Sequence, residues 1–210
     1  MPRPANTDER RAQITRAFQS ILARQGYDGA AIADVARAAD LSPGLLHYHF
    51  KSKLEILLAV LDGLVERHDR GLSRRLARSA GDPVAELGAF IDFHLGLGSE
   101  ADPEALACWI VLSGEALRTP RVQKAFARAL ASMVERLTAI LDRGVASGVF
   151  RGADPALAAP ALVASIEGYF VLAATAPGII PAGSAATSLK RMAHGLLQPD
   201  RPFGPAPKRR

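Results

Sequence analysis

The sequence predicts an all-α fold of about nine helices, on three observations. Apolar residues recur at steps of three and four, with no sustained alternation of period two. Asp, Ser or Thr precedes proline at 42–43, 82–83, 102–103, 119–120 and 154–155. In such pairs the first side chain caps free N–H groups and the proline supplies a helix-ready φ. Ser52 and Glu55 add a capping box, S-x-x-E, ahead of an apolar run.

Taken in order, the first helix spans 8–25 and lines one face with Ile14, Ala17, Phe18, Ile21 and Leu22. Two very short helices follow, at 31–38 and 42–48. A long one at 53–79 carries Leu54, Leu57, Leu58, Leu61, Leu64, Val65, Leu72 and Leu76. Helices are expected at 83–97 and 103–117, then at 120–147 with Phe126, Leu130, Met133, Leu137 and Ile140 on one face. The last two fall at 155–176 and 184–197. Residues 168–189 carry no charge, but Gly168, Pro177, Gly178, Pro181 and Gly183 would break a spanning helix, so this stretch reads as a soluble helix and a loop, with no membrane partner. From Pro199 the tail is Pro-rich and basic and is expected to be disordered.

The chain has 210 residues, 49% hydrophobic, which is enough for a sizeable core. Its single cysteine, Cys108, excludes an internal disulfide and a Cys-rich zinc site, and reads as a small buried apolar residue. The opening MPRPANTDERR has no apolar run, so the expected location is the cytoplasm. The net charge of +5 is unevenly placed. Residues 1–54 carry +3, residues 199–210 carry +3, and the middle is close to neutral. Two basic ends suggest an anionic partner. There is no P-loop, GxGxxG, GxSxG or HExxH, and the histidines at 47, 49, 68, 94 and 194 are scattered. An enzyme, a cofactor and a metal site are therefore not expected.

Residues 31–49 hold the informative chemistry. The helix AIADVARAA buries Ile32, Val35 and Ala36, a tight turn follows at Asp40-Leu41, and Ser42-Pro43 opens GLLHYHF. Two short helices joined by a short turn make a helix-turn-helix, whose second helix lies in the major groove of DNA. The candidate DNA-contacting residues are Ser42, Pro43, Gly44, His47, Tyr48, His49, Lys51 and Lys53. Gly44 permits close approach, the His and Tyr tips reach bases or phosphates, and Lys53 opens a helix whose N–H groups also favour phosphate. Leu46 and Phe50 read as core; Tyr48 fits either role.

The run GYDGAAIADVARAADLSPGLLHYHFKSKLEIL resembles the TetR-family DNA-binding domain. The match rests on Gly26, Tyr27, Val35-Ala36, Ser42, Gly44, His47, His49, Phe50, Lys53 and Leu57, and covers about residues 8–58. Three positions depart from the family pattern. Ala31 stands where Thr usually caps, Asp40 where Gly is common, and His47 where an aromatic is commoner. Asp tolerates the left-handed backbone that such a turn needs. The segment CWIVLSGEALRTPRVQKAF resembles the C-terminal domain of the BetI-like branch.

The resemblance implies a DNA-binding domain at 1–53 and a ligand-binding and dimerisation domain at 54–198, with the tail at 199–210. It implies a homodimer that pairs its last two helices. The small residues there allow close approach, and Leu162, Ala164, Ser165, Gly168, Leu189, Met192 and Leu196 are the candidate interface. An effector site is expected among the helices at 83–97, 103–117, 120–147 and 155–176. Phe90, Phe93, His94, Trp109, Leu112, Glu115, Met133 and Tyr169 are its candidate lining, under Trp109. Aromatic faces with one buried carboxylate suit a small, largely apolar or amine-bearing molecule. The implied function is a repressor that grips a palindromic operator in double-stranded DNA and is released by a small-molecule effector. An activator, or an architectural binder without ligand, is the alternative.

Overall fold

A computed structural model describes residues 4–96, 102–152 and 154–204. Among these residues there are nine α-helices and no strand: α1 (Pro4–Gly29), α2 (Ile32–Ala38), α3 (Pro43–His49), α4 (Lys53–Leu76), α5 (Pro83–Leu95), α6 (Pro103–Ala116), α7 (Pro120–Ala146), α8 (Pro155–Thr175) and α9 (Ala185–Leu197). A 3-10 turn, Ala77–Ser79, continues α4.

The caps act largely where the sequence placed them. Asp82 accepts from the N–H groups of Val84 and Ala85 at 3.1 and 3.2 Å, and Asp102 from those of Glu104 and Ala105 at 3.0 Å. Asp154 accepts from Ala156 at 2.9 Å and Ser42 from Leu45 at 3.2 Å. Each bond satisfies a donor that the first helical turn leaves free. Thr119 differs, because its hydroxyl donates to the Glu115 carboxylate. The first helix starts at Pro4 rather than near residue 8, and its regular backbone breaks at Gly26, where φ is 70°.

The chain divides into two compact units, 1–67 with 102–127, and 68–101 with 128–210. Helix α6 packs on α1 and so joins the first unit. In the first unit Ile14, Phe18, Leu22, Val35, Leu46, Phe50, Leu57, Leu61, Cys108 and Leu112 form a buried core. Cys108 is fully buried, as expected, and its thiol lies 3.2 Å from the Gln19 carbonyl. Burial, reinforced by Glu104 and Asp102, pushes that thiol up to about 12, which leaves it protonated and unreactive.

In the second unit Leu72, Leu87, Phe90, Ile91, Leu137, Ile140, Leu162, Ile166, Leu189 and Ala193 pack together. Here α9 lies on α5 and α8, and α8 on α5. One helix among the described residues, α8, is long and apolar enough to cross a membrane by length and composition, and only part of its surface is covered within the chain.

The start of the tail corrects the expectation of disorder. Phe150 and Pro199 form an isolated antiparallel bridge, and Asp200 donates its N–H to the Val149 carbonyl at 3.1 Å. Arg201 pairs with Asp82, Phe203 packs on the core, and the Gly204 carbonyl accepts from Lys190 at 3.0 Å. One aromatic anchor and these polar contacts hold a segment whose composition alone reads as unstructured. Residues 205–210 lie outside the described residues.

Candidate nucleic-acid interface

The turn between α2 and α3 is a Schellman motif. Leu41 donates to the Ala36 carbonyl at 2.9 Å and Asp40 to the Arg37 carbonyl at 3.1 Å, with Asp40 in the left-handed region at φ 51°. The glycine expected there is thus replaced by a residue that accepts the same backbone. At the start of α2, Ala31 is extended (φ −79°, ψ 142°) and makes no side-chain cap.

Helix α3 is anchored on one side and open on the other. Leu46, and Phe50 just beyond the helix, are fully buried, and α3 packs against α1 and α2. From α1, the Arg11 guanidinium sits 4.0 Å over the Phe50 ring and donates to the His49 carbonyl, while the Gln13 amide donates to the Ala39 carbonyl at 2.5 Å. The C-terminal ends of α2 and α3 are thereby tied by two side chains of α1. Sequence reasoning did not single out either residue, since nothing local marks a polar side chain whose partners lie 26 and 38 positions away.

The outward face carries the candidates. Ser42, Pro43, Gly44, His47 and Lys51 are exposed, and Tyr48 is 66% exposed, which places it on the surface rather than in the core. A Cβ built at Gly44 would meet nothing within 4 Å. His49 is half-buried, edge-on to Tyr48, and its buried Nδ1 has no hydrogen-bond partner among the described residues. It belongs as much to the anchor as to the open face.

Lys53 opens α4 at the same end. Its ammonium lies 4.4 Å from the Tyr27 ring centroid and 3.4 Å from the Asp28 carbonyl, so a resting partner already holds it. The capping box forms with one shift: Ser52 accepts from Glu55 N–H at 3.2 Å, but Glu55 reaches back to the Lys51 N–H at 2.7 Å rather than to that of Ser52.

The eight effector candidates divide between the two units. Trp109, Leu112 and Glu115 belong to the first. Trp109 stacks obliquely on Phe126 at 4.5 Å, Leu112 is core, and buried Glu115 is held by the Thr119 hydroxyl and, at 3.4 Å, by Arg118. Its carboxylate is therefore already engaged.

Phe90, Phe93, His94, Met133 and Tyr169 belong to the second unit, within or against its hydrophobic core. Two of the five histidines meet in space: His68 and His94 lie with Nε2 atoms 2.8 Å apart and Phe93 edge-on to both rings. They stand 26 residues apart in sequence and on different helices, which hides the pair from any local reading.

The interface candidates also separate. Leu162 and Leu189 are turned to the core of their own chain at 3% and 0% exposure, which corrects their place on the surface. Their apolar periodicity is that of the inner face. Ala164, Gly168, Met192 and Leu196 are exposed, Ser165 is half-buried, and Leu157 and Val171 extend the open apolar face of α8.

Known proteins share this plan. The family profile described as "Bacterial regulatory proteins, tetR family" matches residues 14–60, and that described as "BetI-type transcriptional repressor, C-terminal" matches 83–198. The chain is 29% identical over 178 residues to the HTH-type transcriptional regulator BetI of Serratia proteamaculans, covering 83% of this chain and 85% of that one. It is 27% identical over 124 residues to BetI of Rhizobium meliloti, and there it spans 59% of this chain and 60% of the relative. A putative transcriptional regulator from Saccharomonospora viridis, solved in complex with choline, shares the fold at TM-score 0.80 and 23% identity, over 90% of this chain and 98% of that one.

Proposed function

Because the chain belongs to the tetR family of bacterial regulatory proteins, with a C-terminal domain of the BetI type, we propose that it is a dimeric repressor that binds a palindromic operator and is released by a small molecule. The observation that carries the reading is α3, a seven-residue helix fixed by buried Leu46 and by Phe50 at its end, whose other side is open at Gly44, His47 and Tyr48. A helix so held presents its N-terminal residues to base edges. Ser42 and Lys51 border that face and Lys53 opens the next helix, positions suited to phosphate contacts. The place of action is the cytoplasm, and no catalytic step is involved.

Two such heads must meet half-sites one helical turn apart, ~34–36 Å. The open apolar face of α8 and α9, with Ala164, Gly168, Met192 and Leu196, supplies the surface that a second copy covers. Exposed apolar stripes of this kind are otherwise unfavourable in water. The effector is a small, largely apolar or amine-bearing molecule. It acts by binding the DNA-incompetent state better, and the usual coupling is about 5–150-fold.

The test is a salt titration of operator binding by wild type and Lys53→Ala. Replacing Lys53 should weaken binding to all sequences and reduce the slope of log K against log salt by about one unit. An unchanged slope, together with no difference between operator and random DNA for the wild type, would overturn the reading.

A further inference from the structure

The second unit holds a cavity of about 250 Å³ bordered by Arg75 in the last turn of α4, Arg78 of the 3-10 turn that follows, Gly88 and Asp92 of α5, Lys190 of α9, and Gly204 of the tail. None of the effector candidates borders it. We propose that this cavity binds a small carboxylate bearing a hydroxyl or ammonium group on the neighbouring carbon. The proposal does not depend on the regulatory function, because it needs only the fold of this unit.

The charges at the cavity do not balance internally. Asp92 and Lys190 are both more than nine-tenths buried and form an ion pair at 2.7 Å through Asp92 Oδ2. Lys190 spends a second proton on the Gly204 carbonyl at 3.0 Å, which leaves its third donor position. Arg75 and Arg78 form no ion pair among the described residues, so three cations border the cavity against one carboxylate. Arginine in this situation recognises carboxylates through a planar fork of donors.

The other oxygen of Asp92 sets the second half of the ligand. Asp92 Oδ1 is buried and has no hydrogen-bond partner among the described residues. A buried acceptor without a donor is costly, and such atoms in folded proteins are normally satisfied. A bare inorganic anion brings no donor to it and is repelled by its charge. A ligand carrying both a carboxylate for the arginines and a hydroxyl or ammonium for Asp92 answers both demands. The volume is below the ~300–1,000 Å³ of sites for drug-sized ligands, so the ligand is small. Gly88 contributes a wall without a side chain, and Phe203 from the tail lies over it, the nearest atom to a Cβ built there at 3.9 Å.

The test is calorimetric titration of the full chain at constant ionic strength with lactate, alanine, propionate and sulfate. Lactate and alanine share the carboxylate and add a hydroxyl or an ammonium; propionate lacks that donor. The expected result is saturable binding of lactate or alanine at one site per chain, at least fivefold tighter than propionate or sulfate. Arg75→Ala/Arg78→Ala, which removes one half-buried and one exposed side chain that form no ion pair among the described residues, should weaken it at least tenfold with an unchanged melting temperature. Three results would overturn the proposal: no saturable binding of either donor-bearing acid, equal binding of all four probes, or full binding by the double variant. Operator affinity, measured on the same samples, reports separately on the regulatory reading.

Discussion

His68 and His94 share one proton. Their Nε2 atoms are 2.8 Å apart, and His94 Nδ1 lies 2.8 Å from the Phe90 carbonyl. A carbonyl only accepts, so His94 Nδ1 carries the hydrogen and its Nε2 must accept from His68. The His68 Nδ1 then faces Asp69 at 3.6 Å, and Asp69 in turn faces Arg136 at 3.6 Å. Protonating His94 would destroy the bond and place a second charge in the core.

This arrangement predicts a pH dependence of stability. Burial first, and the neighbouring His68 second, lower His94 to about 3 from its ordinary 6.5. Burial also lowers His68, against Asp69, which raises it. Between pH 6.5 and 3 the unfolded chain therefore binds more protons than the folded one. The contribution of His94 is complete above its unfolded pKa and is lost progressively as pH falls through that window. The slope approaches about 1.4 kcal/mol per pH unit for one proton. Urea unfolding at pH 7.5, 6, 5 and 4 should show this fall, and His94→Leu should flatten it. An equal slope in the variant would refute the assignment.

Gly44→Leu should separate DNA binding from folding. Nothing stands within 4 Å of a Cβ built at that position, and leucine is the better helix former by up to ~1 kcal/mol. Thermal unfolding should be unchanged or shifted upward, while operator affinity falls at least tenfold because the backbone no longer approaches the groove. A fall in melting temperature would mean that the position is packed rather than open.

Gly168→Arg should abolish dimerisation without unfolding the chain. The glycine is exposed, and a Cβ added there meets nothing within 4 Å. Sedimentation should show a monomer with native helical content, and operator affinity should drop because two half-sites need two heads. A dimer in this variant would place the interface elsewhere.

Ala31→Thr should stabilise the first unit. Ala31 already has the extended backbone of an N-cap but no side-chain oxygen for the free N–H groups of α2. Supplying one is worth about 1 kcal/mol. Chemical denaturation should show the midpoint rising with no change in m-value. A lower midpoint would mean that the threonine methyl clashes at the α1–α2 join.

The local plan of this protein is legible in its residues. Asp82-Pro83, Asp102-Pro103 and Asp154-Pro155 start α5, α6 and α8 because a cap bond spans only two or three residues, and Ser52 with Glu55 marks α4 in the same way. Asp40 could be placed in a left-handed turn because the constraint is on its own φ. Exposure of Gly44, His47 and Lys51 follows from the pattern around buried Leu46, since three- and four-residue steps fix which side of a short helix is apolar.

Tertiary structure alone decided which apolar face meets which. Periodicity marks Leu162 and Leu189 as members of a face, but not whether that face meets its own chain or another, and they meet their own. The meeting of His68 with His94, the pairing of Asp92 with Lys190 across 98 positions, and the docking of Phe203 depend on how helices cross. The physical reason is one of range. Caps, turns and helical period act within about one turn of chain, ~3–4 residues. Burial and ion pairing act through space between segments whose neighbours are set only when the whole core has packed.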